Sequence, residues 1–217
     1  MSILTVERAV LQKNDEIAAD NRTLFERFGL MVLNIVSSPG SGKTSLLERV
    51  LGNLRGRIPA GVIEGDVQTD LDARRVAEYG VPVVQIVTHG GCHLDAGLVR
   101  DAAAALPLHR LQLLLIENVG NLVCPANYDL GESMKVVVVS ITEGDDKPLK
   151  YPAMFRKASL LVVNKMDLAP HVTADPGILV RNALSINPNL KIFRTSCISG
   201  EGIHDLCAWI EEEVAVW

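Results

Sequence analysis

Four short segments of this 217-residue chain hold residues whose types and spacing could do chemistry. The first is Ser37-Ser38-Pro39-Gly40-Ser41-Gly42-Lys43-Thr44-Ser45, entered from the apolar run Met31 to Val36 and left through the amphipathic SLLERV. Gly40 and Gly42 let successive backbone N–H groups converge on phosphate oxygens, and a helix starting there directs its partial positive end at the same anion. Lys43 is placed to reach the outer phosphates and Thr44 to ligate magnesium, with Ser41 and Ser45 completing the nucleotide contacts. The usual leading glycine is Ser37, so the loop alone fits several nucleotide-binding families. A plain glycine-rich turn is the competing reading, and the order strand, loop, Lys-Thr, helix argues against it.

The second segment, Asn164-Lys165-Met166-Asp167, follows the apolar LLVV. A carboxylate at Asp167 can accept from both the ring N–H and the exocyclic amine of guanine, a donor pair that adenine lacks. Thr195-Ser196-Cys197, after the last strand, has the character of a loop closing over the base, which adds Ser196 and Cys197 to the nucleotide contacts.

The third is a pair of strand ends, Glu64-Gly65-Asp66 and Glu117-Asn118-Val119-Gly120. Both bring carboxylates to the sheet edge that carries the phosphate loop, so Asp66 and Glu117 are candidates for magnesium ligation or for orienting water, with Lys43 as third member of a catalytic set. Each alone could equally be a helix cap or a solvated loop charge.

The fourth constellation is Cys92-His93, behind the pair Gly90-Gly91, with Cys124 seven residues beyond Glu117 and next to Pro125. Two thiols and an imidazole suit nickel or zinc, and three protein ligands leave a position for water or another subunit. A small thiol is often only a hydrophobe, which is the reading for Cys207 among Leu206, Ala208, Trp209 and Ile210. His89 is near enough in sequence to be a fourth ligand but reads better as a solvated loop residue, and His109, His171 and His204 join no constellation.

These segments need a scaffold, and the hydrophobic pattern describes one. Candidate strands fall at Met31–Ser37, Val62–Glu64, Val83–Val87, Gln112–Glu117, Val136–Ile141, Leu160–Val163 and Lys191–Arg194, with helical patterns between. Runs such as Leu113-Leu114-Leu115-Ile116 are apolar on both alternating faces, which suits strands covered on both sides. The expectation is an α/β fold, a doubly wound, mostly parallel sheet with helices on both faces. Val6, Ala9, Val10, Ile17 and Leu24 recur at helical spacing, so residues 5–28 read as an N-terminal helix packed on the sheet or on a partner, the sheet being the simpler choice. With 48% hydrophobic residues, no repeat and no linker, residues 1–217 are expected to form one domain.

Composition narrows the partners. A net charge of -5 with no long block of like charges argues against nucleic acid and anionic membranes. The opening MSILTVERAVLQKNDE lacks the apolar stretch of a signal peptide, so the cytoplasm is expected. Four cysteines are too sparse for a disulfide framework.

Taken together, NIVSSPGSGKTSLL, EGDVQTDLDARR, GCHLDA, ENVGNLVCPANYDLGE, TEGDDKPLKYP, NKMDL and TSCISGEG resemble the HypB family, GTPases that support nickel insertion into nickel-iron hydrogenase, over nearly the whole chain. The resemblance implies a P-loop NTPase fold of the SIMIBI class, GTP/GDP with Mg2+, and a nucleotide-dependent homodimer. It maps a shared site for Ni2+ or Zn2+ onto Cys92, His93 and Cys124. It also implies a HypA-like nickel chaperone and a hydrogenase large subunit precursor as partners. Residues 1–30 carry neither the cysteine motif nor the histidine-rich tract of some members, so tight nickel storage is not expected. Lys147 is a candidate contact to nucleotide or to a second subunit, with a plain surface lysine as the simpler reading. With no arginine finger and no glutamine after the ENVG turn, unaided hydrolysis is expected at about 10⁻⁴ to 10⁻² per second. Two other readings compete: a UreG-like urease GTPase, disfavoured by CHLDA and NLVCPANYDLGE, and a non-catalytic metal-binding scaffold that holds nucleotide for structure.

Overall fold

Residues Met31–Ser37 are buried without a break, which in a strand requires cover on both faces and neighbours on both edges. The computed structural model describes residues 3–68 and 70–217 and supplies both. In chain order the elements are α1 (Ile3–Arg27), β1 (Met31–Ser37), α2 (Lys43–Leu54), β2 (Ala60–Asp66), α3 (Leu71–Ala77), β3 (Val83–Val87), α4 (Ala96–Ala104) and β4 (Leu113–Glu117). There follow β5 (Met134–Ser140), α5 (Lys147–Lys150), α6 (Pro152–Lys157), β6 (Leu160–Asn164), α7 (Pro176–Ile186), β7 (Lys191–Arg194) and α8 (Ile203–Val216). The strands form a seven-stranded sheet in the order β3-β2-β4-β1-β5-β6-β7. Every pairing is parallel, so all strands end at one edge.

The register decides which residues meet there. Glu64 of β2 lies opposite Glu117 of β4, and Ile35 of β1 lies opposite Glu117 on the other side. β2 is longer than its apolar core Val62–Glu64 suggests, because Gly61 and Gly65 also belong to it. The reason is tertiary: a Cβ on Gly65 would sit 2.8 Å from Leu94, and one on Gly61 would sit 2.6 Å from Leu111. Glycine weakens a strand by propensity, but here it admits the layer above.

Alternate residues of β1, β4 and β5 point to opposite faces. Leu33, Leu115 and Val138 pack with Leu47, Val50 and Leu54 of α2 and with Leu206 and Ile210 of α8. Val32, Leu114 and Ile116 pack under α4 and Phe25 of α1, while Val137, Val139 and Val163 pack with Met154, Phe155 and Leu179 of α6 and α7. Among the described residues no helix is long and apolar enough to cross a membrane.

The buried face of α1 differs from the apolar stripe that the sequence suggests. Val10 is 52% exposed, Ala9 is exposed, and Val6 lies outside the described side chains. The buried positions are Asn14, Ala18, Asn21 and Phe25, with Ile17 and Leu24 at the margin. Hydrogen bonding turns the helix to this face: both asparagine side chains bond main-chain groups of the loops beneath.

Candidate functional site

The phosphate loop follows β1, and its glycines meet a steric requirement. Gly42 has φ +93°, and a Cβ there would lie 2.6 Å from Asn164 Nδ2. α2 then starts at Lys43 with free N–H groups directed at the loop. The serine in place of the leading glycine has a job of its own, since Lys43 Nζ donates to Ser37 Oγ at 3.0 Å, holding the amine over the loop. Ser41 Oγ donates to Glu143 Oε1 at 2.6 Å. Lys147 is no plain surface lysine: its side chain is 16% exposed, pairs with Glu143 at 3.1 Å and donates to Ser38 Oγ at 3.2 Å. Ser45 lies half-buried in the first turn of α2.

Beneath the loop, Thr44 Oγ1 donates to Glu117 Oε1 at 2.9 Å, and Lys43 Nζ stands 3.9 Å from the same oxygen. Glu117 is 3% exposed, and its carboxyl hydrogen-bonds that of Glu64. Glu64, which sequence reading did not choose as a ligand, is 2% exposed and lies opposite Glu117. Burial, and then the neighbouring Glu117 carboxylate, push the Glu64 carboxyl up to about 10. Burial raises Glu117 as well, against the opposing pull of Lys43. The pair therefore keeps a proton near neutrality. A hydroxyl and a buried carboxylate beside a phosphate loop fit magnesium, for which Thr44 and Glu117 would be protein ligands. Asp66 ends β2 on the same edge, half-buried, with Oδ1 accepting from the Val67 amide.

The candidate base-reading residues lock to the phosphate loop. Asn164 Nδ2 donates to Ser41 O at 3.0 Å and Lys165 Nζ to Gly40 O at 2.7 Å. Thr195 Oγ1 donates to Asn164 Oδ1 at 3.1 Å, and Ser196 Oγ donates to Asp167 Oδ1, orienting the carboxylate. Cys197 is half-buried, with Sγ 3.5 Å from Asn164 Oδ1 and its carbonyl accepting from Arg49.

Cys92, His93 and Cys124 come together: one ligand atom from each lies within 4.8 Å of the others. Cys92 Sγ is 3.4 Å from His93 Nδ1. A shared hydrogen bond with Cys124, and then burial, raise the Cys92 thiol above its ordinary range, while burial lowers His93 and keeps its imidazole neutral. The Tyr128 ring, missed by sequence reading, sits 3.9 Å from that of His93 and fixes its plane. His89 is exposed and outside the cluster, and Cys207 is 1% exposed in the core with its thiol raised to about 11 by burial.

Buried polar side chains hold these loops in place. Leu94 N donates to Asn118 Oδ1 at 3.1 Å, Asn118 Nδ2 to Asn34 Oδ1 at 3.2 Å, and Asn34 Nδ2 to Glu132 Oε1 at 3.0 Å. Glu132 pairs with Lys135 at 3.3 Å, and Lys135 Nζ donates to Pro125 O and Tyr128 O. Asn34 and Glu132 lie at the ends of quoted motifs, but nothing in the sequence marked them or Lys135 for this role, since their partners lie on other strands and loops.

An all-parallel doubly wound sheet, a phosphate loop bound to the Asn164–Asp167 segment, and a thiol–imidazole cluster on the adjoining loops define a P-loop nucleotide-binding protein with a candidate metal centre. Residues 31–194 match the family model described as CobW/HypB/UreG, nucleotide-binding domain. The chain is 54% identical to the hydrogenase maturation factor HypB of Azotobacter vinelandii over 97% of its own length and 70% of that protein. It is similar to the crystal structure of HypB from Helicobacter pylori in complex with nickel, with a TM-score of 0.89 at 38% identity, covering 94% of this chain and 95% of that one. The crystal structure of the hydrogenase maturation factor HypB from Archaeoglobus fulgidus gives a TM-score of 0.88 at 38% identity, covering 94% of this chain and 99% of that one. The chain belongs to the CobW/HypB/UreG family, on its HypB side.

Proposed function

We propose that this chain is a slow GTPase and metallochaperone that binds nickel or zinc through Cys92, His93 and Cys124 and passes nickel on during nickel-iron hydrogenase maturation. One observation carries the reading: Glu117, bonded to the phosphate-loop residue Thr44, is separated by one short loop from Cys124, whose thiol meets Cys92 and His93. A loop anchored to the phosphates at one end and bearing a soft ligand at the other couples the two sites. Thiolate and imidazole donors are appropriate to either metal.

In this reading Lys43 and the Gly40–Thr44 backbone hold the phosphates, Thr44, Asp66 and Glu117 hold magnesium, and Asp167 reads guanine with Asn164, Lys165, Ser196 and Cys197 around it. Hydrolysis relaxes the Asp66 and Glu117 loops and loosens the metal ligands. A nearly complete swing of such a switch needs about 5.5 kcal/mol of differential binding between states. Two chains pair in the GTP state, and Val123, 61% exposed beside Cys124, supports a second copy covering this face. The single domain over residues 1–217, the cytoplasmic setting, a HypA-like nickel donor and the hydrogenase large subunit precursor as recipient belong to the same proposal.

Titrating the full chain with Ni2+ and Zn2+, with GDP and with a non-hydrolysable GTP analogue, alongside sedimentation, tests it. The expected result is a metal affinity and a dimer fraction that both change with the nucleotide. Equal nickel affinity in the two states would overturn the coupling.

A further inference from the structure

The two segments that carry the metal ligands do not touch the rest of the fold only through the sheet. Ala96, three residues after His93, has both main-chain groups bonded to α1: its amide donates to Asn14 Oδ1 at 2.9 Å, and its carbonyl accepts from Asn21 Nδ2 at 2.9 Å. The same two side chains hold the segment that follows Cys124. Asn14 Nδ2 donates to Asp129 O at 2.8 Å, and Asn21 Nδ2 donates to Leu130 O at 2.9 Å. Each asparagine thus bridges the Cys92-His93 segment to the Cys124 segment. They lie seven residues apart, two helical turns on one face.

The approach is close. A Cβ on Gly131 would lie 2.6 Å from Asn21 Cβ and 2.7 Å from Ala18 O, so the loop behind Cys124 rests directly on the helix backbone. Asn14 is 6% and Asn21 1% exposed, and Asn21 Oδ1 has no hydrogen-bond partner among the described residues. Buried amides, one of them incompletely satisfied, stabilise a helix face less well than leucine or alanine would. What they provide instead is register, the best-attested use of buried polar groups.

We propose that Asn14 and Asn21 are positioning residues that set the separation of the two ligand-bearing segments, and through it the affinity of the Cys92–His93–Cys124 site for a soft divalent ion. The inference rests on the metal-binding reading above and extends it to a helix that supplies no ligand. Loss of either bridge lets the segments part while the phosphate loop, on another part of the sheet edge, stays assembled.

The test compares Asn14→Ala, Asn21→Ala and Asn21→Leu, which keeps the branched shape, with the wild-type chain and with Ile210→Ala, which weakens the α8 side of the core. Measured are the Kd values for Ni2+ and Zn2+ and for a GTP analogue, thermal stability, and the rate at which phenylarsine oxide bridges Cys92 and Cys124 in the metal-free protein. The asparagine variants are expected to raise the metal Kd by about tenfold or more, the size of effect that outer-shell changes have at metal sites. They should also slow thiol bridging and leave nucleotide affinity unchanged, while Ile210→Ala loses stability without losing metal affinity. Asn21→Leu keeps the helix packed where an alanine variant fails to fold, and still has to show the weakened site. Wild-type metal affinity and bridging rate in the asparagine variants, or an equal loss in Ile210→Ala at matched stability, would overturn the inference and leave the metal-binding reading standing. A wild-type chain that takes up neither ion overturns both.

Discussion

Thr44 Oγ1 donates to Glu117 Oε1 at 2.9 Å, tying the first turn of α2 to the last residue of β4. Asn118, the next residue, accepts from the amide of Leu94, which follows His93 directly. Two adjacent side chains thus contact the nucleotide side and the metal side. Glu117→Gln removes the charge while keeping the shape. GTP hydrolysis is expected to fall by about 100-fold or more, with analogue binding retained. Single-turnover kinetics check the first and equilibrium binding the second.

The cysteines divide by environment. Cys92→Ser and Cys124→Ser should each abolish stoichiometric Ni2+ or Zn2+ binding, whereas Cys207→Ala should cost about 1 kcal/mol of stability and leave metal binding intact, because its thiol is packed in the core. Equilibrium dialysis on the three variants separates ligands from core thiols. Full binding by Cys124→Ser would remove the ligand set.

Metal affinity should rise with pH. The thiolate binds the ion, and the Cys92 thiol is held above its ordinary range by its hydrogen bond to Cys124 and then by burial, so below that range its proton must leave when the ion binds. His93, lowered by burial, stays neutral and adds no dependence near pH 7. The apparent Kd is expected to fall by about tenfold per pH unit while the Cys92 thiol is protonated. A flat profile from pH 6 to 8 would contradict thiolate ligation.

Glu64 predicts a different pH effect. Its folded-state carboxyl is raised from 4.5 to about 10, so the native chain binds the extra proton. Between those values ν for the native state exceeds ν for the unfolded state, and this group's contribution to stability declines as pH rises. Glu64→Gln, which mimics the protonated form, should flatten the decline and raise Tm more at pH 8.5 than at pH 5. Calorimetry at both values decides, and an equal change at each would remove the shared proton.

Ser196 Oγ donates to the Asp167 carboxylate, the proposed guanine acceptor. Asp167→Asn should lower GTP affinity by about 100-fold or more and bring xanthosine triphosphate above it, since the amide supplies a donor where guanine needs an acceptor. Competition binding with the two nucleotides measures the exchange.

Local chemistry decided much in advance. The strands at Met31–Ser37, Val83–Val87 and Lys191–Arg194 were legible as apolar runs bounded by turn residues, and the phosphate loop, Asn164-Lys165-Met166-Asp167 and the Cys-His pair were legible as patterns because each occupies a few consecutive residues. Periodicity also marked α1 as a helix, but not which face it buries. That face belongs to Asn14 and Asn21, whose partners at Ala96, Asp129 and Leu130 are distant in the chain. The same holds for Glu64 opposite Glu117, Tyr128 over His93, and Lys147 on Ser38. Motif and period report what a residue can do within its own turn or strand. Strand register and loop packing, set by the burial of the whole sheet, decide which distant group it meets.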